Sequence, residues 1–344
     1  MLGVLTLSFD PVVVISDTAS VRLETIALAL VLFVGLVLAV WLGKRIAGPA
    51  LRIDDLIFMV VGAVPGAIVG GRLGYVLDHL AYYQANPNAI TDPAQGGFTL
   101  TLAMPLGLLT GAVIGRLLGS PIGRWMHALA LPLLFVLAGG KLAGILGGTG
   151  QGSPSDLSWA TSYTGPGPWG SLAADVPSHP SQAYEAIAIG VAIVALWLVS
   201  YLPLIRRGDG GAMWAALGLW CVARFVVGFS WRDPATVGVL RTEQLLALAV
   251  GLVAVAGLAE RARAHRRLGA QHVSMLEPAM LEPATVEPGV LDADEAARAE
   301  AEAAIDLESN AATEPAAAIE PAPPRVVQRG ARSRRGSRRD DRLR

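Results

Sequence analysis

The stretch IALALVLFVGLVLAVWL at residues 26–42 contains no charged side chain. About 20 apolar residues in an α-helix are enough to cross the hydrocarbon core of a bilayer, which is roughly 30 Å thick. Residues 186–204 form a second stretch without charge. Both stretches predict helices that span a membrane, because ordinary soluble proteins rarely contain apolar runs of this length.

The rest of the chain extends this pattern. The composition is 53% hydrophobic and only 16% charged, against about 25% charged in an ordinary soluble protein. Apolar runs predict seven spans, at about 25–43, 56–77, 98–118, 127–147, 183–204, 212–230 and 243–259. The predicted fold class is therefore an all-α integral membrane protein, a bundle of about seven transmembrane helices.

The basic residues predict the orientation of the bundle, because loops rich in Lys and Arg stay in the cytoplasm. Loops 78–97 and 148–181 contain neither residue, and Arg232 and Arg241 are the main exceptions on that side. The other loops are basic and contain Lys44, Arg45, Arg52, Arg116, Arg124, Arg206, Arg207, Arg261, Arg263, Arg266 and Arg267. The pattern predicts an N-terminus outside the cytoplasm and a cytoplasmic C-terminus.

Three domains are expected. Residues 1–22 have no basic region or cleavage motif of a signal peptide, so they are predicted to be a short external segment. Residues 23–260 form the membrane domain. Residues 261–344 are predicted to be a disordered cytoplasmic tail, because an acidic, Pro-rich block is followed by nine arginines within 325–344. Nucleic-acid binding is not expected, since no nucleic-acid module accompanies these arginines.

Ionisable residues inside the spans converge at one depth. With the predicted topology, Arg72, Lys141, Glu185 and Arg224 all lie towards the outer side, on four different helices. Each cation alone could extend to the interface, but ionisable residues inside a membrane more often mark function. The sequence predicts a polar cavity, cationic overall, that binds an anion such as a phospholipid head group.

Several motifs resemble those of the prolipoprotein diacylglyceryl transferase family. The sequence HPSQAYE at residues 179–185 fits the pattern H-P-[ST]-Q-x-Y-E, and GGRLGYVL at 70–77 is similar to G-x-R-x-G-Y-V. RFVV at 224–227, followed by Arg232, matches R-F-x-V, and QLL at 244–246 resembles the opening of the family's last span. The resemblance covers about residues 20–260 and includes the seven-span topology.

The resemblance implies transfer of a diacylglyceryl group from phosphatidylglycerol to the lipobox cysteine of a prolipoprotein, in a bacterial plasma membrane. Its partners would be phosphatidylglycerol or another anionic phospholipid, the prolipoprotein signal peptide and the membrane, and no cofactor is implied. Catalytic roles are implied for Arg224, Lys141 and His179, although His179 could instead cap its helix. Substrate binding is implied for Arg72, Tyr75, Gln182, Tyr184, Glu185 and Arg232. A metal site is not expected, because Cys221 is the single cysteine and no Cys/His ligand spacing occurs.

The sequence also departs from the family's pattern. In the segment that matches G-R-x-G-N-F-x-N-G-E, arginine is Lys141, the asparagines are Gly144 and Gly147, and glutamate is Thr149. Elsewhere, Thr101 replaces a histidine, Gly228 replaces the glutamate after R-F-x-V, and Glu24 or Thr25 stands where a tyrosine is usual. These departures leave open a catalytically impaired paralogue that binds phospholipid or a lipoprotein precursor. A transporter is a further alternative, although no inverted repeat is visible.

Overall fold

A computed structural model describes residues 4–46, 51–92, 97–202, 205 and 209–281, with side chains described as far as Arg267. The predicted tail therefore lies outside the described residues beyond position 281, as do Arg206 and Arg207 of one basic loop. Residues 1–276 and 277–344 form two separate units. The first unit contains all the features discussed below.

Helices dominate the described chain. They are α1 (Leu23–Arg45), α2 (Ile53–Asp78), α3 (Leu80–Ala85), α4 (Leu100–Leu117), α5 (Ile122–Gly147), α6 (Ser181–Val199), α7 (Gly211–Val227) and α8 (Thr242–Leu281). Short 3-10 turns follow at Pro87–Ile90 and Gly228–Ser230. All of these helices except α3 are long and apolar enough to cross a membrane. The prediction of seven spans is thus confirmed, with helix ends within about five residues of the predicted ones except at the C-terminal end of α8, which runs on to Leu281.

Four short strands lie at one end of the bundle, which we call the strand end. They are β1 (Leu5–Leu7), β2 (Val12–Ser16), β3 (Ala19–Arg22) and β4 (Thr161–Tyr163). β2 and β3 form an antiparallel hairpin directly before α1. β1 pairs in parallel with β4, which ties the N-terminal segment to the loop between α5 and α6. The strand end corresponds to the side that the loop charges predict to be outside the cytoplasm.

Helix packing places α7 at the centre of the bundle. Of the most apolar 18-residue stretch of α7 and the turn after it, 61% is buried, compared with 17% of the corresponding stretch in α1 and in α8. The main core cluster is formed around Trp220 of α7 with Leu134 of α5 and Ile189 of α6. A polar side chain on α7 is therefore surrounded by protein rather than by lipid.

Small residues allow the closest helix contact, between α2 and α4. A methyl group added at Gly66 would overlap the Leu106 carbonyl oxygen and the Thr110 side chain, and one at Gly70 would overlap the Leu102 carbonyl. Small residues let helix backbones approach in this way within membranes. The contact fixes the end of α2, which carries Arg72, against the start of α4.

Candidate functional site

A chain of buried ion pairs joins four helices at the strand end. Lys141 Nζ of α5 lies 2.9 Å from Glu185 Oε2 of α6, and Glu185 Oε1 accepts a hydrogen bond of 2.7 Å from Arg224 Nη1 of α7. Arg224 Nη2 donates to Glu243 Oε2 of α8 at 2.6 Å. Glu185, Arg224 and Glu243 are at most 6% exposed. The structure therefore joins three of the predicted site residues, Lys141, Glu185 and Arg224, and adds Glu243.

The charges of this cluster balance, whereas the sequence predicted a cationic site. Two cations, Lys141 and Arg224, face two carboxylates, Glu185 and Glu243. The difference has a physical reason: an unpaired charge inside a protein costs several kcal/mol. A buried arginine on the central helix therefore requires carboxylates within contact distance, and Glu243 supplies the second one.

Arg224 is held rigidly by its neighbours. Its Nε donates to Thr101 Oγ1 at 2.6 Å and lies 3.2 Å from Glu243 Oε2, while Thr101 in turn donates to Glu243. The guanidinium carbon lies 4.6 Å from the ring centroid of Trp231 and 5.7 Å from that of Trp220. Arginine has five N–H donors, and the contacts within the described residues use three of them. One N–H on Nη1 and one on Nη2 therefore have no acceptor among the described residues.

The HPSQAYE segment divides between the ion pairs and the α5–α6 loop. Glu185 joins the ion pairs, but Gln182 Nε2 donates to the Tyr163 hydroxyl of β4 at 2.9 Å. Burial raises the pKa of Tyr163, and the hydrogen bond from Gln182 only partly offsets this effect. Tyr184 accepts a 2.7 Å hydrogen bond from Trp159 Nε1, and its hydroxyl lies 3.5 Å from His179 Nδ1. In this arrangement His179, Gln182 and Tyr184 organise the loop next to the ion pairs.

Arg72 lines a different part of the strand end. Its Nε donates to the Ile90 carbonyl at 2.8 Å and its Nη2 to the Ala89 carbonyl at 2.6 Å. Its guanidinium carbon is 5.9 Å from the ring centroid of Tyr75, and the Tyr75 ring stacks on His79. Arg72 also faces a cavity of about 530 Å³ that opens between the end of α2 and the segment before α4. Arg72 and Tyr75 thus form a contact group of their own beside this cavity.

Arg232 connects the segment after α7 to the α5–α6 loop. Its Nη2 donates to Ser178 Oγ at 2.9 Å and its Nε to the Gly152 carbonyl at 3.2 Å. Ser178 immediately precedes His179, so Arg232 fixes the start of the HPSQAYE segment. The predicted site residues therefore all lie at the strand end, in three places: the ion pairs of Arg224, the contact of Arg72 with Tyr75, and the α5–α6 loop.

Two residues at the substituted motif positions have unexpected partners. Thr149, where the family pattern has glutamate, donates a 2.6 Å hydrogen bond to Glu24 Oε1 at the start of α1. Gly147 stands where the family pattern has an asparagine, and a methyl group added to it would overlap the Glu24 carboxylate. Glu24 therefore occupies space that a larger side chain at position 147 would fill.

Sequence reasoning missed the roles of Glu243 and Thr101. Glu243 lies next to Gln244, which the QLL motif had singled out, but no motif includes the glutamate itself. A usable signal was present, because a buried arginine needs counter-charges and Glu243 is the acidic residue at the start of the last apolar run. Thr101 was singled out only as the residue at the position of the family's histidine, and nothing in the sequence predicts its hydrogen bonds with Arg224 and Glu243.

A second cavity lies deeper in the bundle and is apolar. It has a volume of about 430 Å³, lies between α1, α2, α4 and α5 and is lined by Leu36, Val60, Ala103 and Leu129 among others. Among the described residues no group of three or more His, Cys, Asp or Glu side chains could hold a metal ion. Cys221 is buried within α7.

Comparison with known proteins gives one consistent result. Residues 16–259 match the model of the family described as prolipoprotein diacylglyceryl transferase. A relative from Solidesulfovibrio magneticus is 35% identical over 227 residues, which cover 62% of this chain and 77% of the relative. A relative from Pseudomonas aeruginosa is 32% identical over 64% of this chain and 79% of its own length. Both are named phosphatidylglycerol–prolipoprotein diacylglyceryl transferase.

Proposed function

Because the chain belongs to the prolipoprotein diacylglyceryl transferase family, we propose that it transfers the diacylglyceryl group of phosphatidylglycerol to the lipobox cysteine of a prolipoprotein. It is thus a multi-pass membrane transferase of lipoprotein biogenesis. In the reaction the thiol sulfur forms a bond to the glyceryl carbon, and the carbon–oxygen bond to the phosphate breaks. Glycerol phosphate leaves with the electron pair of that bond, and the thiol gives up its proton.

The observation that carries the proposal is the fixed guanidinium of Arg224 with two N–H donors still available. Negative charge grows on the phosphate as the carbon–oxygen bond breaks, so donors held in place beforehand stabilise the transition state without reorganising. A guanidinium group can donate two of its N–H groups to two phosphate oxygens. Glu185, Glu243 and Thr101 hold the guanidinium in one orientation, which is what this task requires.

Lys141 supplies a second positive charge within the same cluster. Its side chain is 25% exposed, compared with 7% for Arg224, and its ammonium contacts Glu185. An ammonium group has three donors, so Lys141 is able to contact Glu185 and a phosphate oxygen together. A positive field also favours the thiolate form of the incoming cysteine. Lys141 would therefore stabilise negative charge on both reacting groups, the phosphate and the thiolate.

The remaining predicted residues are proposed to bind the substrates around this cluster. Arg72 and Tyr75 would hold a lipid head group at the 530 Å³ cavity, and the apolar 430 Å³ cavity offers space for an acyl chain. Gln182, Tyr184 and Arg232 would shape the loop over the head group through their contacts with Tyr163, Trp159 and Ser178. His179 lies within the same loop contacts and would orient Tyr184.

We propose that the protein lies in a bacterial plasma membrane with its strand end outside the cytoplasm. Single-cysteine labelling tests this orientation, because the native Cys221 is buried and gives little background. Leu172→Cys, at a position 99% exposed in the α5–α6 loop, should react with a membrane-impermeant maleimide in intact spheroplasts. Glu260→Cys, in α8 beyond the predicted end of the last span at about residue 259, should react only after lysis. The reverse pattern would contradict the orientation.

A complementation experiment tests the activity. Cells depleted of their own diacylglyceryl transferase should regain lipidated lipoproteins when they express this chain. Arg224→Ala should abolish the rescue, whereas Arg263→Ala, whose side chain is 65% exposed, should preserve it. If the inserted wild-type protein gives no rescue, the transferase proposal is wrong. The catalytically impaired paralogue, suggested by the substituted motif positions, would then be the better description.

A further inference from the structure

We propose that Glu243 is a positioning residue for Arg224, and that it supplies from α8 the carboxylate that the family's pattern places at position 228, directly after α7. The inference rests on the proposed function, because it assigns Glu243 a role in the same transfer site. None of the motifs that define the resemblance includes Glu243. The role therefore has to be argued from its contacts.

The first observation is how Glu243 holds the guanidinium. Its Oε2 lies 2.6 Å from Arg224 Nη2 and 3.2 Å from Nε, so one carboxylate oxygen spans one edge of the guanidinium group. Thr101 closes the same edge, since it accepts from Arg224 Nε and donates to Glu243. Glu185 contacts only Nη1. A single contact would let the group rotate about it, so Glu243 and Thr101 together set the direction of the two available N–H groups.

The second observation concerns the space at position 228. A side chain at Gly228 would meet the Cγ, Cδ and Nε2 atoms of Gln244, the residue next to Glu243. Gln244 is fully buried, and its Nε2 donates to the Phe225 carbonyl on α7 at 2.9 Å. The start of α8 thus fills the volume beside Gly228 and brings a carboxylate to the arginine. Position 228 itself offers no carboxylate, so the carboxylate beside Arg224 on this side comes from Glu243.

The same kind of exchange occurs at a second place. Thr149 stands where the pattern has glutamate, and it donates to Glu24 from another helix. Glu24 itself lies close to where the pattern has tyrosine. Two of the missing carboxylates therefore have a carboxylate from a different helix nearby, which argues that the departures are compensated changes rather than loss of a site.

The third observation separates a positioning role from simple charge balance. Glu243 Oε1 is buried and has no hydrogen-bond partner among the described residues. Buried acceptors without a partner are uncommon, because the group has lost its hydrogen bonds to water without replacing them. A counter-ion needed only for folding would be expected to satisfy both oxygens. Here the geometry favours the Arg224 contact at the expense of Oε1.

The experiment uses the full-length protein in detergent with two readouts on the same samples. Short-chain phosphatidylglycerol is titrated against the intrinsic tryptophan fluorescence, to which Trp220 and Trp231 beside Arg224 contribute, and kcat and KM are measured with a lipobox peptide. Three variants are compared: Glu243→Gln, Glu243→Asp and Glu260→Gln. Glu260 lies on the same helix but its side chain is 70% exposed and pairs with Arg263, so it is the matched control.

We expect Glu243→Gln and Glu243→Asp both to lower kcat at least about tenfold, because small displacements of a catalytic group have effects of this size. We expect both to weaken phosphatidylglycerol binding as well, while Glu260→Gln behaves as wild type. The Asp variant retains the counter-charge and should melt near the wild-type temperature, but its carboxylate is one methylene short of the guanidinium. The Asp variant therefore distinguishes the effect of the carboxylate's position from the effect of its charge, even if the Gln variant folds poorly.

The inference is overturned if Glu243→Asp binds and turns over as the wild type does, because charge alone would then suffice. It is also overturned if a folded Glu243→Gln protein shows unchanged binding. Failure of the proposed function looks different: wild-type protein would bind phosphatidylglycerol but transfer nothing to the peptide. In that case the binding readout still decides the role of Glu243.

Discussion

Glu243 at the start of α8 and Glu260, 17 residues further along the helix, each pair with an arginine, but the surroundings of the two pairs differ. Glu243 is 5% exposed and contacts Arg224 of another helix. The side chain of Glu260 is 70% exposed and contacts Arg263 three residues along the same helix. An exposed pair contributes about 0–1 kcal/mol, whereas removal of one partner from a buried pair costs about 3–5 kcal/mol. Burial, rather than the chemistry of the pair, decides what each contact contributes.

The largest effect is expected at Glu185, which contacts both Lys141 and Arg224. Glu185→Gln would leave two cations facing one remaining carboxylate, so we expect the free energy of unfolding to fall by about 3–5 kcal/mol. The measurement is denaturant unfolding in mixed micelles, followed by tryptophan fluorescence. Glu260→Gln, the matched exposed change, should lower it by less than about 1 kcal/mol. Equal losses in the two variants would refute the comparison.

A smaller effect is expected when charge is kept and geometry is lost. Arg224→Lys retains the positive charge but cannot contact Glu185, Glu243 and Thr101 together, because lysine lacks the planar fork. The loss should be about 1.5–3 kcal/mol, the range for hydrogen bonds to charged groups. Turnover should fall much further than stability does. Arg263→Lys at the exposed pair is the control, and a similar loss there would show that the fork contributes nothing specific to the buried site.

Two hydrogen bonds between uncharged side chains, one buried and one partly exposed, test whether burial matters in the absence of charge. Tyr163→Phe removes the acceptor of the buried Gln182 amide, and we expect a loss of about 1 kcal/mol. Tyr184→Phe removes the partner of Trp159, which is 51% exposed and can bond to solvent instead. The second variant should melt within error of the wild type. If both variants lose the same stability, exposure does not control the strength of these contacts.

Much of this arrangement followed from the sequence. Apolar runs predicted the seven long helices, and the topology placed Lys141, Glu185 and Arg224 at one depth, where the structure joins them directly. The partners were harder to predict, since they depend on how helices face one another. The glycines of α2, for example, allow close packing, but they do not specify that α4 is the partner. Glu243 was not predicted, because the predicted site was built from the cations within the spans and left open which carboxylates neutralise them.

The loop contacts could not be predicted at all from local patterns. Tyr163 reaches Gln182, and Trp159 reaches Tyr184, only because β4 pairs with β1 and folds the α5–α6 loop over the helix ends. Such pairings join residues more than 150 positions apart. A composition rich in Gly, Ser and Pro indicates a loop, but it does not specify which side chains the loop will contact.

The smallest effect is expected at a third, partly exposed pair, between Asp209 and His265 of α8. The two side chains are 21% and 23% exposed, and Asp209 Oδ2 lies 2.8 Å from His265 Nε2. Partial burial raises the pKa of Asp209, but the hydrogen bonds from the Gly211 amide and from His265, together with the charge of Arg261, outweigh it. The net pKa is below the ordinary value.

A carboxyl group whose pKa is lowered by folding stabilises the protein above its unfolded pKa, which is about 3.9 for aspartate. This contribution is lost as the pH falls through the lower, folded pKa. Asp209→Asn should therefore melt below the wild type at pH 7, by less than Glu185→Gln does, and the difference should shrink as the pH is lowered below about 4. Melting temperatures of both proteins measured from pH 7 to pH 3 test this. A difference that stays constant over that range would mean that Asp209 contributes through packing alone, and that partial burial gives its charge no measurable role.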